Sequence, residues 1–468
     1  MKAPLSYFLT CRYNFCMQLP KQAYVVAVDM GYGHQRAVFP LIDIATTPPS
    51  FNCKLPQIIS ANDYPSIPPR DRFKWNVTRK IYEGVSRFQG FPFLGKKAFH
   101  LMSHIQKIPP FYPRRDLSKP TYSLNVIYDL IRGGFGKHLI DRLSEDPLPL
   151  ICSFPIPAFA AEEHGYLGDI YCLCTDTDIA RAWAPLEPSK SRIIYLAPTE
   201  RTRERLKLYG VRSDNIIASG FPLPKEAIGD PQTDDVMLAS LSRRLLKLDP
   251  RGVYSKKFRR LMYIYLNSKT DTAQSDKPLT ITYCIGGAGA QSDIGVQILE
   301  SFKQSIIDDQ IRLNLVVGTS ESLRNKFNRA IDGLSLEPYL NKNIRVIYNP
   351  DKFEYFKEFN ALLPETDILW TKPSELSFYV GLGLPIIMAP ALGSQEEYNQ
   401  SWLHMMGAGF EQYDPRYAHE WVFDWINSGW LAEAAMNGFL NASKHGADHI
   451  EDIVLHGKRT EIADVHFV

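Results

Sequence analysis

No stretch of this 468-residue sequence stays apolar for the roughly 20 residues that a membrane-crossing helix needs. An integral membrane protein is therefore not expected. Cysteine is scarce and odd in number: Cys11, Cys16, Cys53, Cys152, Cys172, Cys174 and Cys284. Scattered through apolar segments, they fit reduced core thiols better than a disulfide framework. Cys172 and Cys174 share one face of a strand, but no partners stand at ligand spacing, so no metal site is expected. A dominant sign of charge is also missing. With 53 Lys and Arg against 51 Asp and Glu the net charge is +2, which argues against a chain devoted as a whole to nucleic acid. The opening "MKAPLSYFLTCRYNFCMQLPK" has only a short apolar patch, broken by Arg12 and Asn14, and makes a poor secretory signal. A cytoplasmic protein is expected, with room for association with the cytoplasmic face of a membrane.

What is present is ordinary globular material. Apolar residues make up 45% and charged residues 22%, and the length exceeds what one core usually serves, so two domains are expected. Short apolar, β-branched runs alternate with helical patterns, the mark of parallel α/β units. Strands are predicted at 23–29, 148–154, 169–175, 192–198 and 215–222. After a gap they resume at 279–287, 311–318, 344–349, 367–371 and 384–390. The gap carries charge clusters such as "SRRLLKLD" and ends in the polar "NSKTDTAQSD", which reads as helix followed by linker. The expected layout is α/β, with a first Rossmann-like domain over 1–222, a helical insert and linker over 223–275, and a second Rossmann-like domain over 276–420. Helices over 421–468 are expected to pack back across both.

Two glycine loops follow the first strand of each half: Gly31-Tyr32-Gly33-His34, and Gly286-Gly287-Ala288-Gly289-Ala290. Ligands of open α/β sheets bind at such strand ends, where backbone approaches closely and helix N-termini favour anions. Each loop alone is also consistent with a plain turn. The first lacks the third glycine of a dinucleotide fingerprint and the acid that should follow it, so a dehydrogenase is disfavoured. Matching loops in two halves suggest one cleft lined from both sides.

The stretch "DMGYGHQRAVFPLIDIA" resembles the glycine–histidine loop of GT-B glycosyltransferases, especially the N-acetylglucosaminyltransferase that makes lipid II and the monogalactosyldiacylglycerol synthases. Pro40, awkward inside a helix, is similar to a proline of the lipid II enzymes. "CTDTDIARAWAP", "YLAPTERTRERLKLYGVRSDNIIASGFPL", "IGGAGAQ", "VVGTSESL" and "GSQEEYN" resemble further family segments in the same order, over roughly residues 23 to 410, with 60–147 and 225–275 unmatched. The resemblance implies a GT-B architecture of two Rossmann-like domains facing a central cleft. It also implies metal-independent, inverting transfer of a sugar from a nucleotide-sugar, UDP-linked, to a lipid or glycan acceptor. No resident cofactor is implied; the nucleotide-sugar is a co-substrate.

Inverting transfer needs a base for the acceptor hydroxyl. His34 is the candidate on chemical grounds, and the resemblance places it on the acceptor side beside Gly31 and Gly33; its plain alternative is to satisfy the helix N-terminus. Asp176 of "TDTD" is read as orienting the acceptor or as a second base, the alternative being a helix cap. The Asp176–Asp178 pair invites a metal, but GT-B enzymes use helix N-termini and backbone donors instead. On the donor side the resemblance assigns Gly286, Gly287, Gly289 and Gln291 of the second loop. Lys372 and Ser374 are read as facing the diphosphate. Gln395, Glu396 and Asn399 are assigned to the sugar, since carboxylate and amide groups suit hydroxyls; a polar helix cap is their alternative. One departure stands out. The family's ribose-gripping glutamate falls here on Phe378, five residues before Gly383-Leu384-Pro385, and Glu375 is the nearest acid; either Glu375 substitutes on the donor side through a shifted register, or the donor differs, or the site has lost nucleotide affinity. Two other readings follow: a non-catalytic GT-B protein that binds a sugar-nucleotide or glycolipid, and a sugar-nucleotide 2-epimerase.

Residues 70–119 hold twelve Lys or Arg against Asp71, Glu83 and Asp116, interleaved with nine aromatics. This suits an anionic membrane surface carrying a lipid-linked acceptor. A solvated helical subdomain and single-stranded RNA binding are the alternatives.

Overall fold

The strands form where they do because their residues can be buried on both faces. In β1 (Ala23–Ala27) every residue is buried: Tyr24 and Val26 point into one core, Ala23, Val25 and Ala27 into the other. That two-sided burial produces unbroken apolar runs rather than alternation. In this computed structural model, which describes residues 22–52, 57–87 (side chains to 78), 107–266, 278–286, 289 and 291–458, two parallel sheets result.

The first sheet contains β1, β2 (Ala45–Thr46), β3 (Ile59–Ser60), β4 (Leu150–Cys152), β5 (Ile170–Leu173), β6 (Ile194–Ala197) and β7 (Ile216–Ala218). Its order is β2-β1-β4-β5-β6-β7, with β3 pairing the far half of β1. The second contains β8 (Leu279–Cys284), β9 (Ile311–Gly318), β10 (Ile344–Tyr348), β11 (Ile368–Thr371), β12 (Ile386–Met388) and β13 (Gly409–Glu411). Its order, β10-β9-β8-β11-β12-β13, is that of a Rossmann fold. All ten strands predicted from the sequence are present; β2, β3 and β13 are additions of two or three residues. The two domains face each other with the carboxyl ends of their strands, the architecture expected of a GT-B chain.

Pro40 is accommodated without a kinked helix. The helix after the first glycine loop ends at Val38 and passes into a 3-10 segment, Phe39–Ile44, with the proline in its first turn, where its missing N–H costs nothing. The described part of 223–275 is helical and packs on the second domain. In the helix Asp235–Leu248, Arg244 is 1% exposed and donates to the carbonyls of Thr366, Leu382 and Gly383. Lys247 pairs with the buried Asp367.

The chain passes between domains at Gly220-Phe221-Pro222 and returns near His445, which forms an antiparallel bridge with Pro222. At Gly446 a Cβ would stand 2.2 Å from the Phe221 carbonyl, so only glycine allows the two passages to lie together. The last described helix, Gly446–His456, is tied to Lys225 through Glu451. Among the described residues no helix is long and apolar enough to cross a membrane.

Candidate functional site

The first glycine loop is shaped by what it touches in the other domain. Gly31 has φ +96°, a conformation that side chains disfavour. It lets the chain turn from β1 into the helix Gly33–Val38. Between the glycines, the Tyr32 hydroxyl accepts from the Thr319 N–H at 2.8 Å, beyond the end of β9. A Cβ on Gly318 would stand 2.2 Å from that hydroxyl, so this glycine makes room for the tyrosine. At Gly33 a Cβ would meet the Glu375 carboxylate at 3.0 Å. The first glycine loop thus interlocks with the loop after β9 and with Glu375.

His34 lies beside Phe154 and Trp183, with ring centroids at 5.0 and 6.3 Å. Its Nδ1 is 2.8 Å from the Ser153 carbonyl. A carbonyl only accepts, so Nδ1 carries the proton and Nε2 keeps its lone pair. Burial pushes its pKa down to about 4, against the opposing pull of the Ser153 carbonyl and Glu375. The ring is neutral at physiological pH.

Asp176 follows β5. Burial raises its pKa to about 7, and Glu375 and Glu396 push in the same direction, while the hydrogen bond from Asn399 and the charge of Lys372 oppose. Asp178 is spent on structure. Arg205 holds it through two 2.8 Å bonds, Arg201 adds a third at 3.2 Å, and the aspartate is 1% exposed. The two aspartates of "TDTD" thus have separate jobs.

In the second domain, Gly286 stands two residues beyond β8, Gly287 lies outside the described residues, and Gly289 has φ +70°. Gln291 precedes the helix Ser292–Ser301 and donates from Nε2 to the Pro390 carbonyl at 2.7 Å. Lys372, one residue beyond β11, forms an ion pair with Glu396, whose other oxygen accepts from the Leu392 N–H at 2.7 Å. Ser374 precedes the 3-10 segment Glu375–Leu382 and hydrogen-bonds the Glu375 carboxylate. Gln395 and Glu396 lie in the first turn of the helix Ser394–Met406.

Two of the expected donor ligands are otherwise engaged. Asn399 is fully buried, and its amide makes four hydrogen bonds. Oδ1 accepts from the Thr177 N–H and hydroxyl at 2.9 and 2.8 Å, and Nδ2 donates to Asp176 at 3.1 Å and to the Pro373 carbonyl at 3.3 Å. The amide is saturated and serves as a rivet between the domains. Glu375 pairs with Arg36 at 2.5 Å. Burial alone would raise its pKa, but Arg36 and the Ser374 hydroxyl hold it below the ordinary carboxylate range. Arg36 also donates to the Tyr355 hydroxyl, and its guanidinium sits 4.9–5.7 Å from the rings of Tyr32, Tyr355, Phe356 and Phe359. Its pKa is raised further: desolvation opposes, and the facing tyrosines and Glu375 prevail.

Phe378, at the family's acidic position, stacks on Phe221 of the interdomain passage at 4.3 Å and 8° and packs on Trp402. An acid there would be buried among rings without a partner. Reasoning from the sequence missed Arg36, Tyr32, Tyr355 and Thr177. The one available signal was an arginine inside the otherwise apolar turn "RAVF".

Much of the basic aromatic insert, 88–106, lies outside the described residues. Its described end is anchored at the same seam. Phe111 lies 3.9 Å beneath the guanidinium of Arg201, and the Ile108 carbonyl accepts from Tyr398 of the second domain at 3.4 Å. Phe73 and Tyr112 are exposed.

No family model and no curated protein matches the sequence. Solved structures do. The glycosyltransferase SnogD from Streptomyces nogalater is 13% identical, covering 93% of this chain and 99% of its own, with a TM-score of 0.44. MurG from Acinetobacter baumannii is 13% identical over 92% and 99%, with a TM-score of 0.43. The UDP-GlcNAc 2-epimerase from Neisseria meningitidis, bound to UDP-GlcNAc, is 12% identical over 89% and 97%, at 0.41. With such values the two-domain architecture rests on the order of the strands themselves.

Proposed function

We propose that this chain is a GT-B glycosyltransferase that moves a sugar from a UDP-linked donor to a lipid or glycan acceptor, with inversion and without a metal. One observation supports it most. His34 and Asp176 from the first domain meet Lys372, Glu375, Glu396 and Asn399 from the second at a single seam, where the strand ends of both sheets face each other.

In this reading the acceptor hydroxyl gives its proton to His34 Nε2 as its oxygen attacks the anomeric carbon, and the nucleoside diphosphate leaves with the bonding electrons. The Ser153 carbonyl fixes the tautomer that leaves Nε2 free. A base of such low pKa works only if the proton moves late, as the new bond forms. Asp176 orients the acceptor or serves as a second base. Lys372 and the loop at Gly286–Gln291 offset the diphosphate charge. The end of the basic insert, seated at the seam, would bring a membrane-borne acceptor to the same place.

Incubating the chain with UDP-sugars and candidate acceptors and following UDP release tests the reading. Replacing His34 with Ala should lower turnover by about 10²–10⁴-fold while leaving UDP affinity within about twofold. Equal losses in both would remove the base role.

Phe378 favours a second reading, a non-catalytic protein that binds a sugar-nucleotide or glycolipid, because its place is welded to Phe221. Calorimetric binding of UDP without transfer to any acceptor would select it. The epimerase reading needs no acceptor and hence no basic insert; activity surviving deletion of the insert would select that one.

A further inference from the structure

Lys372 is the cation that the proposed function assigns to the diphosphate, yet an internal anion holds it. Glu396 reaches back from the first turn of its helix so that one carboxylate oxygen lies against the lysine ammonium. The other accepts from the Leu392 N–H at 2.7 Å. An ammonium and a backbone N–H converging on two oxygens of one anion is the donor set by which proteins hold phosphate. Gly286 contributes to the placement. A Cβ there would stand 3.0 Å from Lys372 Cε, so the glycine lets the lysine stem lie flat over the loop. The pair is partly accessible, with side chains 26% and 15% exposed, and can exchange with a solute. The Arg36–Glu375 pair, enclosed in aromatic rings, cannot.

We infer that Glu396 is an internal plug: its carboxylate occupies a pyrophosphate-binding position made by Lys372 and the Leu392 N–H, and a diphosphate must displace it to bind. The inference rests on the reading of Lys372 as a diphosphate ligand. Displacement has a second consequence. Freed from Lys372, Glu396 stays on the helix beside Gln395, close enough to turn toward a sugar hydroxyl. One residue would then serve as gate before binding and as sugar ligand after it. Apparent affinity is the intrinsic affinity multiplied by the fraction of time the plug is disengaged.

The test is calorimetric titration of the full chain with inorganic pyrophosphate and, separately, with UDP. Glu396→Gln keeps the side-chain size and removes the charge. It should bind pyrophosphate at least about tenfold more tightly than the unaltered chain, and adding Lys372→Met should abolish the gain. Should Glu396→Gln fail to fold, as judged by its melting transition, Glu396→Asp, too short to span both donors, should show the same gain. Unchanged or weaker pyrophosphate binding in a folded variant overturns the plug, as does a gain that survives Lys372→Met. The UDP arm separates the two ideas. A pyrophosphate gain without UDP binding keeps the plug and removes the nucleotide-sugar reading. UDP binding that weakens in Glu396→Gln alongside unchanged pyrophosphate binding does the reverse.

Discussion

Of the ion pairs at the domain seam, Arg36–Glu375 and Lys372–Glu396 are built to opposite purposes. Arg36–Glu375 joins residues 339 positions apart, lies under four aromatic rings and is almost wholly shielded from water. Lys372–Glu396 lies within one domain, is partly open, and shares its carboxylate with a backbone N–H. Desolvation makes the first costly to form and costlier to break. The second can trade partners with little loss. The contrast teaches that the charge types in a cleft do not reveal which groups are available to a ligand; enclosure does.

Breaking the enclosed pair should have the largest effect. Arg36→Met leaves the Glu375 carboxylate buried without a partner and should lower unfolding free energy by about 3–5 kcal/mol, read by chemical denaturation. Pairing it with Glu375→Leu should recover most of the loss. A single loss below about 1 kcal/mol would erase the distinction between the two pairs.

The next effect depends on pH. Asp176 has a folded-state pKa near 7, above its ordinary value of 3.8. The folded state therefore holds this proton more tightly than the unfolded state. The stabilisation is fully present below about pH 4 and is lost as pH rises through 7. Relative to Asp176→Asn, the unaltered chain should lose on the order of 1–3 kcal/mol between pH 5 and 8, the range being reduced for partial exposure. If Asp176 serves as the second base, turnover should rise through a limb near pH 7 that vanishes in Asp176→Asn. A stability difference flat with pH would place the carboxylate in an open, solvated site.

The smallest effect belongs to Lys352–Asp29. This pair also crosses the seam, at 2.5 Å, but its side chains are 21% and 38% exposed. Lys352→Met should cost less than about 1 kcal/mol and less still at high salt. A cost matching that of Arg36→Met would show that crossing the seam matters more than enclosure.

Most of the fold could be read in advance because burial on both faces leaves its signature in composition. "AYVVA" and "LTITYC" have few other uses than central strands. β2, β3 and β13, two or three residues each, are too short to imprint a period. Residue type and place after strands singled out His34, Asp176, Lys372 and Glu396, which the structure brings to one seam. Their partners could not be named. Periodicity says which way a side chain faces, not what it meets across a seam. Asn399 therefore looked like a sugar ligand and proves to be saturated by Thr177, Asp176 and Pro373. Glu375 looked like a substitute for the missing acid and proves to be claimed by an arginine caged by Tyr32 and by Tyr355, Phe356 and Phe359 of "KFEYFKEFN".

The bridge between Pro222 and His445 means that the backbone spans the gap between domains twice, side by side. A door on one pin can wobble; on two adjacent pins it swings in a single plane. Whatever guest the lobes admit, those two crossings set the line about which they would turn, and opening has to part Tyr32 from Thr319.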